Sequence, residues 1–410
     1  MSSDKVTVNR NRTTRSIDWR QWCWRALGIG LLLVGMPVGC RMWLHHRQES
    51  SLTAARELLK RVLVEKSSSQ QTTLLEEAFV ELRKCPFRDG SAQLLSAAAE
   101  RALIPNAPLP QEFRQAEEIR TIDLCLAAEI YLHTTNLGIS NHLVNLALQR
   151  SDDRGETLRV AILIGTKLGH EDQVLEYCKE LSELAPNDPQ PWQVVALIQE
   201  GRSLWPQAAE ALSQLVKRAP QSSIARWRLA NAWIETGEAS KAREQVDQLP
   251  KDLGQDDGLR TLLEARLLYL EGHLEEALKL IDEFRQKQPE HPTGLLLHGR
   301  LLLTLRRLDE ARQSLELLIS VQPTSHEGHY TLGQVLSALG DRDAARQHLA
   351  IQRQLLDKKV ELYSLERTAG RESNNREVRL ELAEKYAEIG LPIVAEFWKK
   401  AADTLGPAQE

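Results

Sequence analysis

Apolar side chains in residues 292–325 recur at spacings of three and four, with one polar break. Before the break, one face of a helix carries Leu295, Gly299 and Leu302. After the break, one face of a second helix carries Ala311, Leu315 and Leu318, and Pro323 follows. This spacing is typical of amphipathic helices, and proline ends a helix because it lacks the N–H group and clashes with the preceding turn. The segment therefore predicts two amphipathic helices joined by a short turn.

The same arrangement recurs with a period of 34 or 35 residues. Prolines keep this period, with one gap of 69 that leaves room for two units: Pro186, Pro220, Pro289 and Pro323. Alanines of the second helix recur in phase: Ala208, Ala242, Ala277, Ala311 and Ala345. Small residues of the first helix keep the same gaps: Ala196, Ala230, Ala265, Gly299 and Gly333. Three independent series with one period indicate an internal repeat.

The small residues in each unit have a physical role. Gly299 in the first helix and Ala311 in the second fall where the two helices cross. Only a small side chain allows the two backbones to approach closely. A leucine there would overpack the crossing at a cost of about 1–3 kcal/mol.

Further residues recur in register with these series: Trp192, Leu229, Trp233, Gly237, Leu268, Gly272 and Gly340. A later unit, 376–409, carries Ala383, Tyr386, Gly390, Ala395 and Pro407. This pattern resembles the tetratricopeptide repeat family, most strongly between residues 189 and 359 and more weakly between 121 and 188. The resemblance implies an all-α fold, an α-solenoid in which helix pairs form a right-handed superhelix.

These patterns divide the chain into six regions. We expect a basic cytoplasmic tail (1–21), a transmembrane or signal-anchor helix (22–44), a helical region of degenerate repeats or a cap (45–120), the repeat array (121–359), an insertion (360–375) and a final unit (376–410). The insertion displaces the final unit from the period, and its first half is expected to extend the preceding helix.

The predicted anchor rests on an uncharged stretch, Ala26 to Cys40, which is flanked by tryptophans. The stretch is short for a spanning helix, but Trp24 to Trp43 gives the length of about 20 residues that a bilayer requires. The excess of basic residues before it predicts a cytoplasmic N-terminus and a repeat body in a periplasm-like space. The alternatives are a cleaved signal peptide, a lipidated Cys40 and a body that faces the cytoplasm.

Composition and charge agree with this interpretation. Leu, Ala, Glu, Gln and Arg dominate the chain, and all five favour helices. The first 25 residues carry a net charge of about +4, whereas the whole chain carries −5, so the body is acidic. An acidic body argues against a nucleic-acid partner. The five cysteines form no C-x-x-C pair, and Cys125 and Cys178 are expected to be small buried apolar residues.

No motif for catalysis, nucleotide binding or metal binding occurs in the sequence. His326 and His329 lie one helical turn apart, but a metal site needs further ligands, so we interpret them as solvated surface histidines. The sequence therefore predicts a protein that is not an enzyme and that needs no cofactor or metal.

Without such motifs, the sequence favours a surface that binds segments of other proteins. In repeats of this kind the first helices line a concave face. The fifth position of four consecutive units gives an apolar row: Trp227, Leu262, Leu296 and Tyr330. The ninth position gives a polar row: Asn231, Arg266, Arg300 and Gln334. An extended peptide with apolar side chains and a carboxylate would suit both rows, whereas the alternative is that the rows pack against neighbouring helices.

The predicted function is that of a membrane-anchored scaffold that binds peptide segments of partner proteins. The alternatives are an accessory subunit of an envelope, secretion or polysaccharide complex, and a lipid-anchored lipoprotein. The identity of the partners does not follow from the residues.

Overall fold

The computed structural model describes residues 38–86, 89–104, 119–134, 136–150, 152–250, 258–372 and 375–403. Within these ranges the chain is built from α-helices and connecting turns. The first five helices are α1 (Val38–Val64), α2 (Ser68–Arg83), α3 (Gly90–Leu103), α4 (Thr121–His133) and α5 (Leu137–Leu148). Asp89 caps α3 by accepting a hydrogen bond from the backbone N–H of Ala92 at 2.8 Å, which satisfies one of the free donors at the start of a helix.

The middle of the chain consists of helix pairs stacked in order. The helices are α6 (Arg154–Leu168), α7 (Glu171–Leu184), α8 (Gln190–Gly201), α9 (Trp205–Arg218), α10 (Ser223–Glu235), α11 (Ala239–Asp247), α12 (Gly258–Glu271), α13 (Leu274–Lys287), α14 (Pro292–Thr304), α15 (Leu308–Val321) and α16 (His326–Leu339). Each helix packs against the helices before and after it in sequence. The apolar core is correspondingly divided into clusters that neighbouring pairs share. This is the organisation of a solenoid, in which each unit contacts its neighbours.

The close crossing inside each unit is confirmed. Ala277 and Ala311 are fully buried. A Cβ atom added to Gly299 would lie 2.6 Å from the side chain of Leu315 on the partner helix, and one added to Gly333 would lie 3.0 Å from Leu349. The two helices of a unit therefore approach more closely than a larger residue would permit.

The turn between the two helices of a unit repeats a left-handed backbone conformation. Six residues with positive φ follow the period of the sequence: Gly169, Ser203, Gly237, Gly272, Arg306 and Gly340. Glycine adopts this conformation without the steric penalty that Cβ introduces, so it occupies four of the six positions. Ser203 and Arg306 adopt it despite their side chains.

The last three helices depart from simple stacking. They are α17 (Arg342–Arg371), α18 (Arg376–Glu388) and α19 (Pro392–Asp403). The 30-residue helix α17 packs against α16 with its first half and extends through most of the expected insertion 360–375. Its second half packs against α18, where Lys385 lies 3.3 Å from Glu361. The final pair is thereby held away from the preceding unit.

The second half of α17 returns to the turn between α6 and α7. The hydroxyl of Tyr363 donates to Glu171 at 3.4 Å, and Arg367 donates to Asp172 at 3.4 Å. Gly370 meets Gly169 so closely that a Cβ atom there would lie 3.1 Å from the Gly169 carbonyl oxygen. We call these contacts between residues 169–172 and 363–371 the closing seam. One apolar cluster contains residues from both sides, including Leu124, Ile164 and Leu168 together with Leu362, Leu382 and Trp398.

The predicted anchor, 22–44, lies mostly outside the described residues, because the description begins at Val38. Residues 38–44 form the start of α1, which continues without a break into the core through Leu52, Ala55 and Leu59. No helix among the described residues has both the length and the apolar character required to cross a bilayer. Cys23 likewise lies outside the described part, whereas Cys85, Cys125 and Cys178 are buried free thiols, as expected for the last two.

Candidate functional site

The row of fifth positions lies on the first helices of four units, but its members differ in exposure. Leu262 and Leu296 are buried in the core that α12 and α14 share with their neighbours. Trp227 is half-buried, and its Nε1 donates to the carbonyl oxygen of Leu259 at 3.4 Å. Tyr330 is 46% exposed. The two leucines thus pack between helices, as the packing alternative expected, and Trp227 and Tyr330 are the members that reach the surface.

The row of ninth positions is connected by polar contacts between units. Arg266 donates to the side-chain oxygen of Asn231 and to the carboxylate of Glu235, so it joins α12 to α10. Arg300 lies 3.5 Å from Glu327 and joins α14 to α16. Gln334 is exposed. The structure therefore gives both arginines a carboxylate partner on the adjacent unit.

These ion pairs are at least partly open to solvent. The side chains of Arg300 and Glu327 are 39% and 51% exposed, whereas those of Arg266 and Glu235 are 21% and 35% exposed. Pairs at this exposure contribute only about 0–1 kcal/mol to folding. A ligand carboxylate can replace Glu235 or Glu327 at little cost, because the displaced side chain regains its hydration.

Two exposed leucines extend the ninth-position row toward the N-terminus. Leu163 on α6 and Leu197 on α8 precede Asn231 by two units and one unit at the 34-residue spacing. They are 37% and 53% exposed. These two leucines were not among the predicted groove residues, because the ninth position was assigned only in the four strongest units, although the 34-residue period itself was sufficient to find them. The inner row, as we now define it, runs Leu163, Leu197, Asn231, Arg266, Arg300 and Gln334, from apolar to polar.

The interpretation of His329 as a solvated surface residue is wrong. His329 is 4% exposed. Its Nδ1 lies 2.9 Å from Nδ1 of His348, and its Nε2 lies 3.1 Å from the carbonyl oxygen of Pro323. The two rings therefore fix α16 against α17. In the described part of the chain, no group of three or more histidine, cysteine or acidic side chains is arranged to hold a metal ion.

Comparison with protein families identifies the repeats directly. Two family models, both described as tetratricopeptide repeat, match residues 204–267 and 262–326. A search of curated proteins finds no match to this chain.

One solved structure agrees in fold. A tetratricopeptide repeat protein from Parabacteroides merdae superposes with a TM-score of 0.51 at 12% identity, and the match covers 60% of this chain and 99% of that one. Human IFIT1 bound to PPP-AAAA gives a TM-score of 0.38 at 13% identity, covering 86% of this chain and 95% of its own. At 12% identity, the likeness to the Parabacteroides merdae protein concerns the fold alone.

The matched family models and the stacked helix pairs lead to one conclusion. In the residues that the structure describes, the chain is an all-α solenoid of the tetratricopeptide type, and family models of the tetratricopeptide repeat match residues 204–326.

Proposed function

We propose that this chain is a scaffold that is anchored in a membrane by residues 22–44 and binds extended segments of partner proteins along its inner row. The observation that carries the proposal is the matched repeat at 204–326, because the tetratricopeptide fold serves protein–protein interaction. The composition of the inner row determines which segments fit.

The ligand that suits this row has apolar side chains at one end and a carboxylate at the other. Leu163 and Leu197 offer exposed apolar surface. Arg266 and Arg300 offer guanidinium groups that already bind carboxylates of this chain. Trp227 and Tyr330 lie one helical turn before Asn231 and Gln334 of the same row, and binding energy in protein interfaces is concentrated in Trp, Tyr and Arg.

The test of the binding face is a cross-linked pull-down of native partners by the full chain. Replacing both Arg266 and Arg300 by alanine should weaken partner binding by about 2 kcal/mol or more while the helical circular dichroism is retained. Leu163→Asp with Leu197→Asp should do the same through the apolar end. A matched control is Arg312→Ala, which removes an exposed arginine from α15, paired with Glu316 at 2.7 Å. Equal recovery of every partner by all variants would refute the binding face.

The membrane part of the proposal rests on the uncharged stretch 26–40 and on the start of α1. Met42 and Trp43 are 68% and 58% exposed there, and the guanidinium of Arg47 lies 5.4 Å from the Trp43 ring centroid. Tryptophan with a neighbouring basic residue is typical of a bilayer interface. The repeat body then lies on the extracytoplasmic side, in a periplasm-like space.

Carbonate washing of membranes that contain the full chain tests the anchor. The chain should remain in the membrane fraction, and its N-terminus should be that of the uncut protein. Release by carbonate would refute the anchor. An N-terminus at Cys40 that carries a lipid would replace the spanning helix by a lipid anchor.

A further inference from the structure

Each second helix of the array is followed by a short turn and then by the first helix of the next unit. That first helix packs back on both helices of the preceding pair, as α16 packs on α14 and α15. Helix α17 departs from this rule, because it continues to Arg371 and receives α18 on its second half, where Lys358 lies 3.4 Å from Glu388. The first half of α17 and the adjoining side of α16 should therefore lack the cover that a further first helix would give.

The exposed fractions of equivalent side chains show this loss of cover. Leu349 on α17 is 38% exposed. Its counterparts at the repeat spacing in the five preceding units are at most 1% exposed: Cys178, Leu212, Val246, Ile281 and Leu315. On the first helix, Tyr330 is 46% exposed, whereas Leu262 and Leu296 at the same position are 5% and 9% exposed. Apolar surface that the earlier units bury is thus open to solvent at the end of the stack.

The residue that contacts the next unit is also different here. A Cβ atom added to Gly294 would lie 2.7 Å from Phe284 of the preceding unit, and one added to Gly328 would lie 2.8 Å from Leu318. In five units this position is a buried apolar residue: Leu181, Leu215, Leu249, Phe284 and Leu318. In the sixth unit it is Gln352. The amide of Gln352 is hydrated when the surface is uncovered and can hydrogen-bond an occupant, so the surface suits a partner that binds reversibly.

Gln352 belongs to a stripe on α17 that is otherwise apolar. Leu349, Gln352, Leu356 and Val360 are spaced by three, four and four residues, which places them on one face of the helix. Leu356 and Val360 are 36% and 69% exposed. A terminal repeat that serves only as a cap has a polar outer face, and this one does not. We call these four residues the end stripe.

Basic side chains border the end stripe. Arg353 and Lys359 lie three residues before and three residues after Leu356, about 60° to either side of it around the helix. Both are exposed, and neither makes a hydrogen bond or ion pair with the residues that the structure describes. Asp357 lies farther round, about 100° from Leu356. Complementary charges guide association and fix register, so these borders favour a partner that carries carboxylates beside its apolar face.

We propose that the end stripe and the adjoining side of α16 bind an amphipathic α-helix of a partner protein, whose apolar face is bordered by acidic side chains. The occupant is a helix because first helices of this chain fill the equivalent position in the preceding units, so the surface continues an interface that already accepts helices. Its borders are acidic because Arg353 and Lys359 flank the apolar residues. This surface is separate in kind from the inner row, for which extended segments are proposed.

The test is fluorescence anisotropy with the full chain and two labelled, end-capped peptides. Both have the sequence of residues 325–340, which include the helix that fills the equivalent position one unit earlier. One peptide carries glutamate in place of Gln334 and Ser337, which are exposed in the chain, and the other carries lysine at both positions. The glutamate peptide should bind saturably and at least tenfold more tightly than the lysine peptide, and added salt should reduce that difference. Unsaturable binding of the glutamate peptide, or equal affinity of the two peptides, would overturn the proposal.

Two double variants locate the binding surface. Leu356→Asp with Val360→Asp should weaken binding of the glutamate peptide by at least tenfold, because it removes apolar surface from the end stripe. Ile224→Asp, at a residue of α10 that is 74% exposed, is the matched control and should leave the affinity unchanged. Arg353→Glu with Lys359→Glu should reverse the preference between the two peptides. Thermal melting checks that each variant is folded.

Three outcomes would count against the end stripe. The first is full affinity of Leu356→Asp with Val360→Asp for the glutamate peptide, and the second is an unchanged preference in the charge-reversed variant. The third is self-association of the full chain in sedimentation that Leu356→Asp with Val360→Asp abolishes, because a second copy would then cover the surface. Arg266→Ala with Arg300→Ala should leave peptide binding unchanged, which separates this surface from the inner row.

Discussion

At the scale of single residues, the fold depends on positions where side chains are small or the backbone is left-handed. Gly299 lies against Leu315 at the crossing of α14 and α15. Arg306, in the turn that follows α14, has a φ of 62°. Glu129 on α4 carries a carboxyl group that is largely removed from water. Each of these three positions is the basis of a separate prediction.

Gly299→Ala should destabilise the chain by about 1–3 kcal/mol, because the added Cβ would lie 2.6 Å from Leu315 in a packed core. Urea unfolding followed by circular dichroism measures the change. Gly155→Ala on α6 is the matched control, since nothing lies within 4 Å of a Cβ atom there. In a helix that control should be neutral or stabilising by up to about 1 kcal/mol. Equal midpoints for Gly299→Ala and wild type would contradict the close crossing.

Arg306→Gly should stabilise the chain by about 1 kcal/mol, because it relieves a left-handed conformation that costs an L-residue about 1–2 kcal/mol. The gain is reduced by the greater freedom of glycine in the unfolded chain. The converse change, Gly272→Ala at the equivalent turn with φ of 85°, should destabilise it. Thermal melting of both variants checks the pair. A lower melting temperature for Arg306→Gly would show that its side chain, and not the backbone, determines the turn.

Because of Glu129, the free energy of unfolding should decrease as the pH rises. Burial first, and then the charge of Glu156, raise the pKa of Glu129 to about 7 from an ordinary value of 4.5. The folded state therefore binds the proton more tightly than the unfolded state, so this residue's contribution is present below pH 4.5 and is lost as the pH rises through about 7. Urea unfolding of wild type and Glu129→Gln from pH 4 to pH 8 isolates the effect. A difference in stability that stays constant with pH would contradict it.

At the scale of helices, buried polar contacts fix elements that lie far apart in sequence. Arg56 on α1 pairs with Asp123 on α4 through contacts of 2.6 and 2.8 Å, with side chains 8% and 0% exposed. The hydrogen bond to Asp123 raises the pKa of Arg56. This pair holds α1, whose first residues belong to the predicted anchor, to the first unit of the array.

Asp123→Ala should cost about 3–5 kcal/mol, because it leaves the buried guanidinium of Arg56 without a counterion. The double change Arg56→Leu with Asp123→Leu should recover much of that loss, since it removes both charges. The exposed pair Arg346–Asp343, whose side chains are 78% and 85% exposed, serves as control, and Asp343→Ala should cost at most about 1 kcal/mol. Urea unfolding measures all three. Equal costs for the two aspartates would contradict the role of burial.

The helices that the sequence predicted well are those with a periodic pattern. Between residues 189 and 345, small residues, apolar positions and prolines agree in one register, so the pairs and their crossings followed from the residues alone. Helices α1 to α3 carry no such register, so their packing against one another and against α4 did not follow from the residues alone. Within the array, Leu262 and Leu296 could not be assigned to core or groove from position alone. The spacing of apolar residues shows which face of a helix is apolar, but the neighbouring helices determine what packs on that face.

At the scale of the whole molecule, the closing seam joins the C-terminal part of the array to the turn between α6 and α7. Residues 363–371 contact residues 169–172 across nearly 200 residues of sequence, as the separations of 192 and 195 in two hydrogen bonds show. Periodicity could not predict this contact, because a repeat specifies neighbouring units and not where the last unit returns.

Gly370→Val should open the seam. Its side chain would meet the Gly169 carbonyl at 3.1 Å and the His170 ring at 3.0 Å. Hydrogen exchange should then increase at the start of α7 and in α18 and α19, while α12 to α16 keep their protection. Ser364→Val, at an exposed position of α17, is the matched control and should leave exchange unchanged. Unchanged protection in Gly370→Val would show that the seam does not hold α17 to the turn between α6 and α7.

The closing seam affects how the chain folds during its synthesis. The core that includes Leu124, Ile164 and Leu168 is completed by Leu382, Trp398 and Ala401, which leave the ribosome more than 200 residues later. Helices α8 to α16 have nearest-neighbour partners and can fold as they emerge. The core around Leu124, Ile164 and Leu168 therefore keeps part of its apolar surface exposed to solvent until translation is nearly finished. Truncation near the C-terminus therefore damages the beginning of the chain, and a chaperone that covers α4 and α6 during that interval would protect the nascent protein from aggregation.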